Sequence, residues 1–162
     1  MIDKKQNVSI VINGKAILNN RLKTAKHLFN TKMWGMDVDM YFSDHTLKSA
    51  KERWISQKGL FVQECIEIMD NDSLDFELMS VGSGVPVTLI DEETGKIIWF
   101  RQQFNDKAKR MEIYIHSVFR HIQNNVVYVG KDDYCVKILK DKSVIVGIEN
   151  IPEFQCNNNR GK

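Results

Sequence analysis

The stretch VPVTLIDEETGKIIWFRQQF, at residues 85–104, constrains the fold more than any other part of the chain. Two runs rich in β-branched and aromatic residues flank the acidic segment DEETG, where Gly95 suits a tight turn. The pattern predicts a β-hairpin. Its second strand is apolar on both faces, since Trp99 and Phe100 point to opposite sides, so we expect both faces to be covered.

The chain before this hairpin carries both strand and helix patterns. An Asn-Gly dipeptide between two apolar runs predicts a first hairpin at residues 8–18. An apolar stripe at helical spacing predicts a basic helix at residues 20–33, and the alternation in DVDMYF predicts a half-buried strand at residues 37–42. The segment SLDFELMSV predicts another strand at residues 73–81.

Residues 44–70 give two conflicting signals. Their apolar positions stay in phase through Gly59, which favours one long, bent helix that begins at a cap on Ser43 or Asp44. Basic residues precede acidic ones, against the helix dipole, and this favours a break at Gly59 with Lys58 at a helix C-terminus. We favour the continuous helix, and the break is the alternative.

The last third of the chain predicts one helix and then short strands. Apolar residues at helical spacing predict a helix at residues 106–123. Pro152 is expected to end regular structure, and residues 153–162 are expected to form a disordered polar tail. Three apolar runs separated by turn residues predict an antiparallel meander; they lie at residues 126–129, 134–139 and 144–148.

The predicted order ββ-α-β-α-βββ-α-βββ indicates an α+β fold with a mostly antiparallel sheet and about three helices. A chain of 162 residues suits one domain, which we place at residues 1–152. Its three cysteines, Cys65, Cys135 and Cys156, lie far apart without a CxxC pair, which is typical of a reducing compartment. We expect a cytoplasmic protein without a membrane-spanning segment, and core packing for Cys65.

Charge is unevenly distributed along the chain. Residues 1–60 carry a net charge of +6, residues 61–100 carry −8, and residues 101–162 carry +4. Such segregation can produce a dipolar surface that orients a docking partner. The alternative is that the three segments neutralise one another in the folded protein.

No catalytic, metal or phosphate-binding signature stands out. His116 and His121 lie five residues apart on the predicted helix and therefore cannot hold one metal together, while Glu112 and His116 have the spacing of an ordinary helix-stabilising pair. A general acid–base role for that pair is the alternative.

Asp37 and Asp39 share a strand face and could bind Mg²⁺ in a hydrolase, although a solvated strand face has the same pattern. We expect no catalytic residue, metal or cofactor.

Basic residues suggest nucleic-acid binding as one function. They cluster on the two predicted basic helices, where they could contact phosphates, although the isoelectric point of about 8.4 is low for such a protein. The residues concerned are Arg21, Lys23, Lys26, Lys107, Lys109, Arg110 and Arg120.

Our preferred hypothesis is a small macromolecule-binding protein, such as a regulator, an inhibitor or an immunity-type factor, and not an enzyme. We expect a protein partner, or a homodimer, to dock on the sheet at Trp99, Phe100 and Arg101, because Trp and Arg are frequent in binding hot spots. The alternatives are a nucleic-acid-binding regulator and a hydrolase centred on Asp37 and Asp39. Residues 86–99 resemble a strand–turn–strand element of PAS-type sensory modules, a resemblance that assigns no ligand residue.

Overall fold

The computed structural model describes residues 14–55 and 60–156 and has the α+β class that the sequence predicts. None of the described helices has the length and apolar character that a membrane span requires. The described part of the chain contains four α-helices: α1 (Gly14–Thr24), α2 (Asp44–Ser49), α3 (Phe61–Met69) and α4 (Asp72–Leu78). A π-helical turn, Ala50–Trp54, continues α2.

Seven strands form one mixed, mostly antiparallel sheet in the order β1-β2-β5-β4-β3-β7-β8. The pairs β2–β5 and β3–β7 are parallel, and the other neighbours are antiparallel. Strands β6 and β9 form a separate parallel pair. The bounds are β1 His27–Met33, β2 Met36–Phe42, β3 Val87–Asp91, β4 Lys96–Asn105, β5 Arg110–Arg120, β6 Val127–Val129, β7 Tyr134–Ile138, β8 Val144–Val146 and β9 Phe154–Cys156.

The central hairpin, β3 and β4, is confirmed. Its turn is closed by Asp91, whose Oδ2 accepts hydrogen bonds from the Thr94 hydroxyl at 2.7 Å and the Thr94 amide at 3.3 Å. Gly95 adopts a φ of +74°, which glycine takes without strain. Both faces of β4 are covered, as expected: Phe100 packs under the helices, and Ile97 packs in a second cluster on the opposite face.

Helices α2, α3 and α4 and the π-helical turn supply the main core over one face of the sheet. Ser43 caps α2, as predicted, by accepting a hydrogen bond from the Thr46 amide. The indole of Trp54 donates to the carbonyl of Phe119 on β5 at 2.7 Å and ties the π-helical turn to the sheet. On the opposite face, the segments around β6 and β9 and the 3₁₀ turn Ile148–Asn150 cover Ile97 and its neighbours.

The hairpin predicted at residues 8–18 is wrong in its described part, because Gly14–Thr24 is helical; residues 1–13 lie outside the described residues. The predicted helix at residues 20–33 is also wrong beyond Thr24, since His27–Met33 is strand β1. The apolar positions of this segment suit both structures. Backbone pairing with β2 favours the strand over the helix, and it also stacks the ring of Phe29 on that of Phe42.

The continuous helix predicted for residues 44–70 is wrong. Ile55 adopts a left-handed φ of +55° and ends the π-helical turn, and α3 then begins at Phe61. The chain therefore breaks before Gly59, which lies outside the described residues. The reversed charge pattern was the correct signal, because two short helices do not share one dipole.

The strand predicted at residues 73–81 is the helix α4 in the structure. The Asn71 side chain caps it by accepting a hydrogen bond from the Leu74 amide at 3.0 Å. Leu74 and Leu78, four residues apart, are buried against the sheet, whereas Phe76 is exposed. The cap at Asn71 and the spacing of the two leucines outweigh the apparent alternation of the segment.

The helix predicted at residues 106–123 is wrong, because Arg110–Arg120 forms β5, an interior strand of the sheet. The three last predicted strands exist, but β6 leaves the expected meander and pairs in parallel with β9. Regular structure continues beyond Pro152, since Phe154–Cys156 is β9. Residues 157–162 of the predicted tail lie outside the described residues.

Candidate ligand-binding pocket

An irregularity between β4 and β5 creates the candidate site. Trp99 lies opposite Ser117, but the next residue, Phe100, lies opposite Ile115. His116 is therefore the extra residue of a β-bulge on β5. Bulges turn side chains in new directions and are frequent beside functional sites.

The start of α2 fixes this bulge. The buried hydroxyl of Thr46 lies 3.0 Å from the carbonyl oxygens of both Ile115 and His116. The same capping geometry places Ser43 and His45 beside the bulge. Two elements distant in sequence thus meet at one point on the sheet.

A cavity of about 410 Å³, which we call the basic pocket, opens at the bulge. Side chains from α1, the start of α2, the π-helical turn and two strands line it. The polar ones are Arg21, Ser43, His45, Arg53, His116 and Ser117, and the aromatic ones are Trp99, Tyr114 and Phe119.

The pocket contains positive charge and no carboxylate among the described residues that line it. Arg53 is held in place, since its guanidinium donates to the Ser117 hydroxyl at 3.2 Å and the Val118 carbonyl at 3.0 Å and lies 4.5 Å from the centre of the Phe119 ring. Within the described chain, no Asp or Glu pairs with Arg21 or Arg53. An anion entering the pocket would meet two arginines without competition from an acidic side chain.

His116 lines the pocket and is buried, with only 8% of its surface exposed. Its ring lies between Trp99, at 4.8 Å, and Tyr114, at 4.7 Å between ring centres. The His116 Nε2 and the Trp99 Nε1 are both buried without a hydrogen-bond partner among the described residues. Since nearly all buried polar atoms in proteins are paired, these two atoms need a partner that the described residues do not supply, such as a water molecule or a ligand.

The environment of His116 favours the neutral imidazole. Burial, followed by the charges of Arg101 and Arg21, lowers the pKa of His116 to about 3. Burial and Arg21 also lower the pKa of Arg101. A bound anion would relieve this crowding of positive charge.

The buried His116 predicts that stability falls in mild acid. The folded protein keeps His116 neutral, whereas the unfolded chain takes up a proton near pH 6.5, so stability decreases as the pH falls from about 6.5 towards about 3. Between pH 7 and pH 5, we expect wild type to lose about 2 kcal/mol more of its free energy of unfolding than His116→Gln. Urea denaturation at both pH values measures this difference. His45→Gln, at an exposed histidine, should keep the wild-type behaviour, and equal losses in wild type and His116→Gln would contradict the burial argument.

The predicted partner surface at residues 99–101 is divided between the two faces of β4. Phe100 is fully buried in the main core, a position that does not favour the interface role expected for it, and that role stays a prediction. Trp99 and Arg101 are half-buried on the opposite face. The Arg101 guanidinium donates to the Gly84 carbonyl at 3.2 Å, and its Nε has no partner in the described structure.

The basic residues predicted to bind nucleic acid are distributed over several elements of the structure. Arg21 lines the basic pocket, whereas Lys23 and Lys107 line a different groove of about 580 Å³. Lys26 pairs with Asp44 at 3.0 Å. Of the remaining residues, Lys109 lies in the β4–β5 turn and Arg110 and Arg120 lie at opposite ends of β5.

The two aspartates of the hydrolase hypothesis are engaged by Arg110. Its guanidinium lies 2.6 Å from Asp39 and 3.5 Å from Asp37, and Asn30 donates to Asp39 at 2.6 Å. A hydrogen bond from Lys32, together with its charge, lowers the pKa of Asp37. The described residues contain no group of three or more acidic, histidine or cysteine side chains placed to hold a metal.

The other candidates for chemistry are also occupied or inert. Glu112 accepts hydrogen bonds from Gln103 and Asn105 and none from His116, because the two residues lie along a strand and not on one helical face. Cys65 packs in the main core, as predicted. Burial raises the pKa of the Cys135 thiol to about 12, which disfavours a reactive thiolate.

Sequence analysis missed the basic pocket because it assigned β5 to a helix. One signal was present: Glu112, Tyr114 and His116 alternate with apolar residues, which is the period of a strand. The role of Arg53 had no local signal, since its partners lie on β5.

Comparisons with known protein families, with curated proteins and with solved structures found no match to this chain. The geometry of the pocket is therefore the basis for a functional assignment.

Proposed function

We propose that this chain binds a small phosphorylated molecule in the basic pocket. The observation that carries the proposal is a cavity lined by Arg21 and Arg53 and by no carboxylate among the described residues, with the buried His116 in its wall. Guanidinium groups bind phosphate through several charge-assisted hydrogen bonds.

The arrangement suits phosphate better than a carboxylate. Donors approach the cavity from several elements: Arg21 lies on α1, Arg53 lies on the π-helical turn, and the Tyr114 hydroxyl belongs to β5. A carboxylate presents two oxygens in one plane, whereas a phosphate presents oxygens in several directions. Donors that surround the cavity therefore fit the tetrahedral group.

Docking of a macromolecule on the sheet surface, which the sequence suggests, stays a prediction. The pocket lies on the face of β4 that carries Trp99 and Arg101, so a partner on this face would compete with the ligand. Nucleic-acid binding also stays a prediction, and the scattered positions of its candidate residues give it less support.

Replacing Arg21 should weaken phosphate binding. Arg21 is exposed on α1 and pairs with no described carboxylate, so Arg21→Ala removes a ligand contact with little effect on folding. We expect wild type to bind inorganic phosphate in the millimolar range and Arg21→Ala to bind it at least about tenfold more weakly, because a hydrogen bond to a charged group contributes about 1.5–3 kcal/mol. Isothermal titration calorimetry at constant ionic strength measures both affinities.

Lys23→Ala is the matched control, since Lys23 is exposed on the same helix with the same charge but lines a different groove. It should keep wild-type affinity. Equal weakening in both variants would indicate general electrostatic attraction, and absence of phosphate binding to wild type at tens of millimolar would overturn the proposed function.

A further inference from the structure

A second cavity adjoins the basic pocket. We call it the aromatic pocket; it has a volume of about 320 Å³ and contains the side chains of Trp99, Phe119 and Tyr128. Trp99 and Phe119 line both cavities, so the two cavities are neighbours at these side chains. Each volume lies within the range of small-molecule sites.

The aromatic pocket offers flat apolar surfaces. Tyr128, on β6, is 62% exposed although it is a large aromatic residue. Trp99 is half-buried, and its indole N–H has no partner among the described residues. Aromatic side chains at such a cavity suit the stacking of a planar ring, and nucleobases stack on them irrespective of base identity.

One carboxylate provides a hydrogen-bond acceptor at this cavity. The Oδ2 of Asp133 accepts from the Thr88 hydroxyl at 3.1 Å and from the Gly130 amide at 3.2 Å, which fixes the side chain. Its Oδ1 receives no hydrogen bond from the described residues and can accept one from a ligand. The two pockets thus differ in character: one attracts an anion, and the other favours a planar group that carries an N–H donor.

We propose that the ligand is a free nucleoside monophosphate, with its phosphate in the basic pocket and its base in the aromatic pocket. This inference rests on the proposed function. Stacking involves Tyr128, Trp99 and Phe119, and an N–H of the base donates to Asp133 Oδ1. Other ligand classes satisfy only part of this arrangement, because an inorganic anion leaves the aromatic surfaces uncovered and a nucleoside leaves the arginines without an anion.

The test compares four probes by calorimetry: inorganic phosphate, adenosine, a set of AMP, CMP, GMP and UMP, and a single-stranded decanucleotide. We expect the tightest monophosphate to bind at least tenfold more tightly than inorganic phosphate, and adenosine to bind at least tenfold more weakly than AMP. Tyr128→Ala, at an exposed position, should weaken the monophosphate about fivefold or more and leave the affinity for inorganic phosphate unchanged. Asp133→Asn should likewise weaken binding of the monophosphate and leave the affinity for inorganic phosphate unchanged. Arg21→Ala should weaken binding of both.

The possible outcomes separate this inference from the proposed function. Phosphate binding without any gain from the nucleoside would overturn the inference and leave the proposed function intact. No binding of phosphate or of any monophosphate would overturn both. If the decanucleotide bound more than tenfold more tightly than every monophosphate, the site would belong to a nucleic-acid strand and the free nucleotide would be excluded as its ligand. Loss of phosphate affinity in Tyr128→Ala would also contradict the division into two pockets.

Discussion

Phe100→Ala is expected to lower the free energy of unfolding by about 3–5 kcal/mol, the usual cost of removing a buried phenyl ring. Phe100 is fully buried in the main core, where β4 meets the helical layer. Alanine would leave a cavity that the neighbouring strands cannot close, because β4 is hydrogen-bonded on both edges. Urea denaturation at pH 7 measures the change.

The same substitution at an exposed phenylalanine is the matched control. Phe76 on α4 is 73% exposed, so Phe76→Ala should change the free energy of unfolding by less than about 0.5 kcal/mol. The experiment also tests the partner surface predicted from the sequence. If Phe100→Ala left monomer stability unchanged and instead abolished a dimer in light scattering, Phe100 would be an interface residue and its burial in the core would be wrong.

The second large effect is expected at Lys137, a lysine of β7 whose side chain is only 8% exposed. Its ammonium lies 2.8 Å from Glu153 and 3.6 Å from Glu92. Glu153→Gln removes the closer carboxylate and leaves a nearly buried positive charge with one distant partner among the described residues. We expect a loss of about 2–3 kcal/mol in the free energy of unfolding, slightly below the usual cost for a fully buried pair because Glu153 still reaches solvent.

Glu92→Gln tests whether geometry decides this effect. Glu92 also pairs with Lys137, but it is farther away and more exposed, so a loss below about 1 kcal/mol is expected.

Burial opposes ionisation of Glu153, but the hydrogen bond from Lys137 prevails and lowers the pKa of Glu153. Its contribution is therefore present above about pH 4.5 and is lost as the pH falls below that value. A difference between wild type and Glu153→Gln that persisted unchanged at pH 3 would contradict the ion pair.

The class of fold and the central hairpin could be predicted from the sequence because their signals are local. In residues 85–104, β-branched residues, a glycine turn and two-sided apolar character all favour the same structure, and β3 and β4 form as expected. The strand β2 and the cap at Ser43 were predicted for the same reason.

The strand β5 was mistaken for a helix for a specific structural reason. Met111, Ile115 and Val118 have helical spacing, and all three lie on the helix-facing side of the sheet. In a regular strand, residues 115 and 118 would point to opposite faces. The bulge at His116 inserts one extra residue and restores Val118 to the same face, so a strand acquires the period of a helix.

The basic pocket could not be predicted, because its parts meet only through tertiary pairing. Arg21 lies on a helix that the sequence placed six residues too late, and Arg53 lies on a π-helical turn that no local pattern predicted. Positive charge at both positions was visible in the sequence, but their proximity to His116 was not.

The parallel pairing of β2 with β5 affects the order in which the protein can assemble. Val38 aligns with Met111. The backbone hydrogen-bonding groups on the edge of β2 that faces β5 therefore stay unpaired until most of the polypeptide has left the ribosome. Contacts so remote in sequence slow folding, because a long loop must close before they form. A nascent chain that ends before residue 110 exposes a hydrogen-bonding edge with apolar side chains, which makes truncated products prone to aggregate.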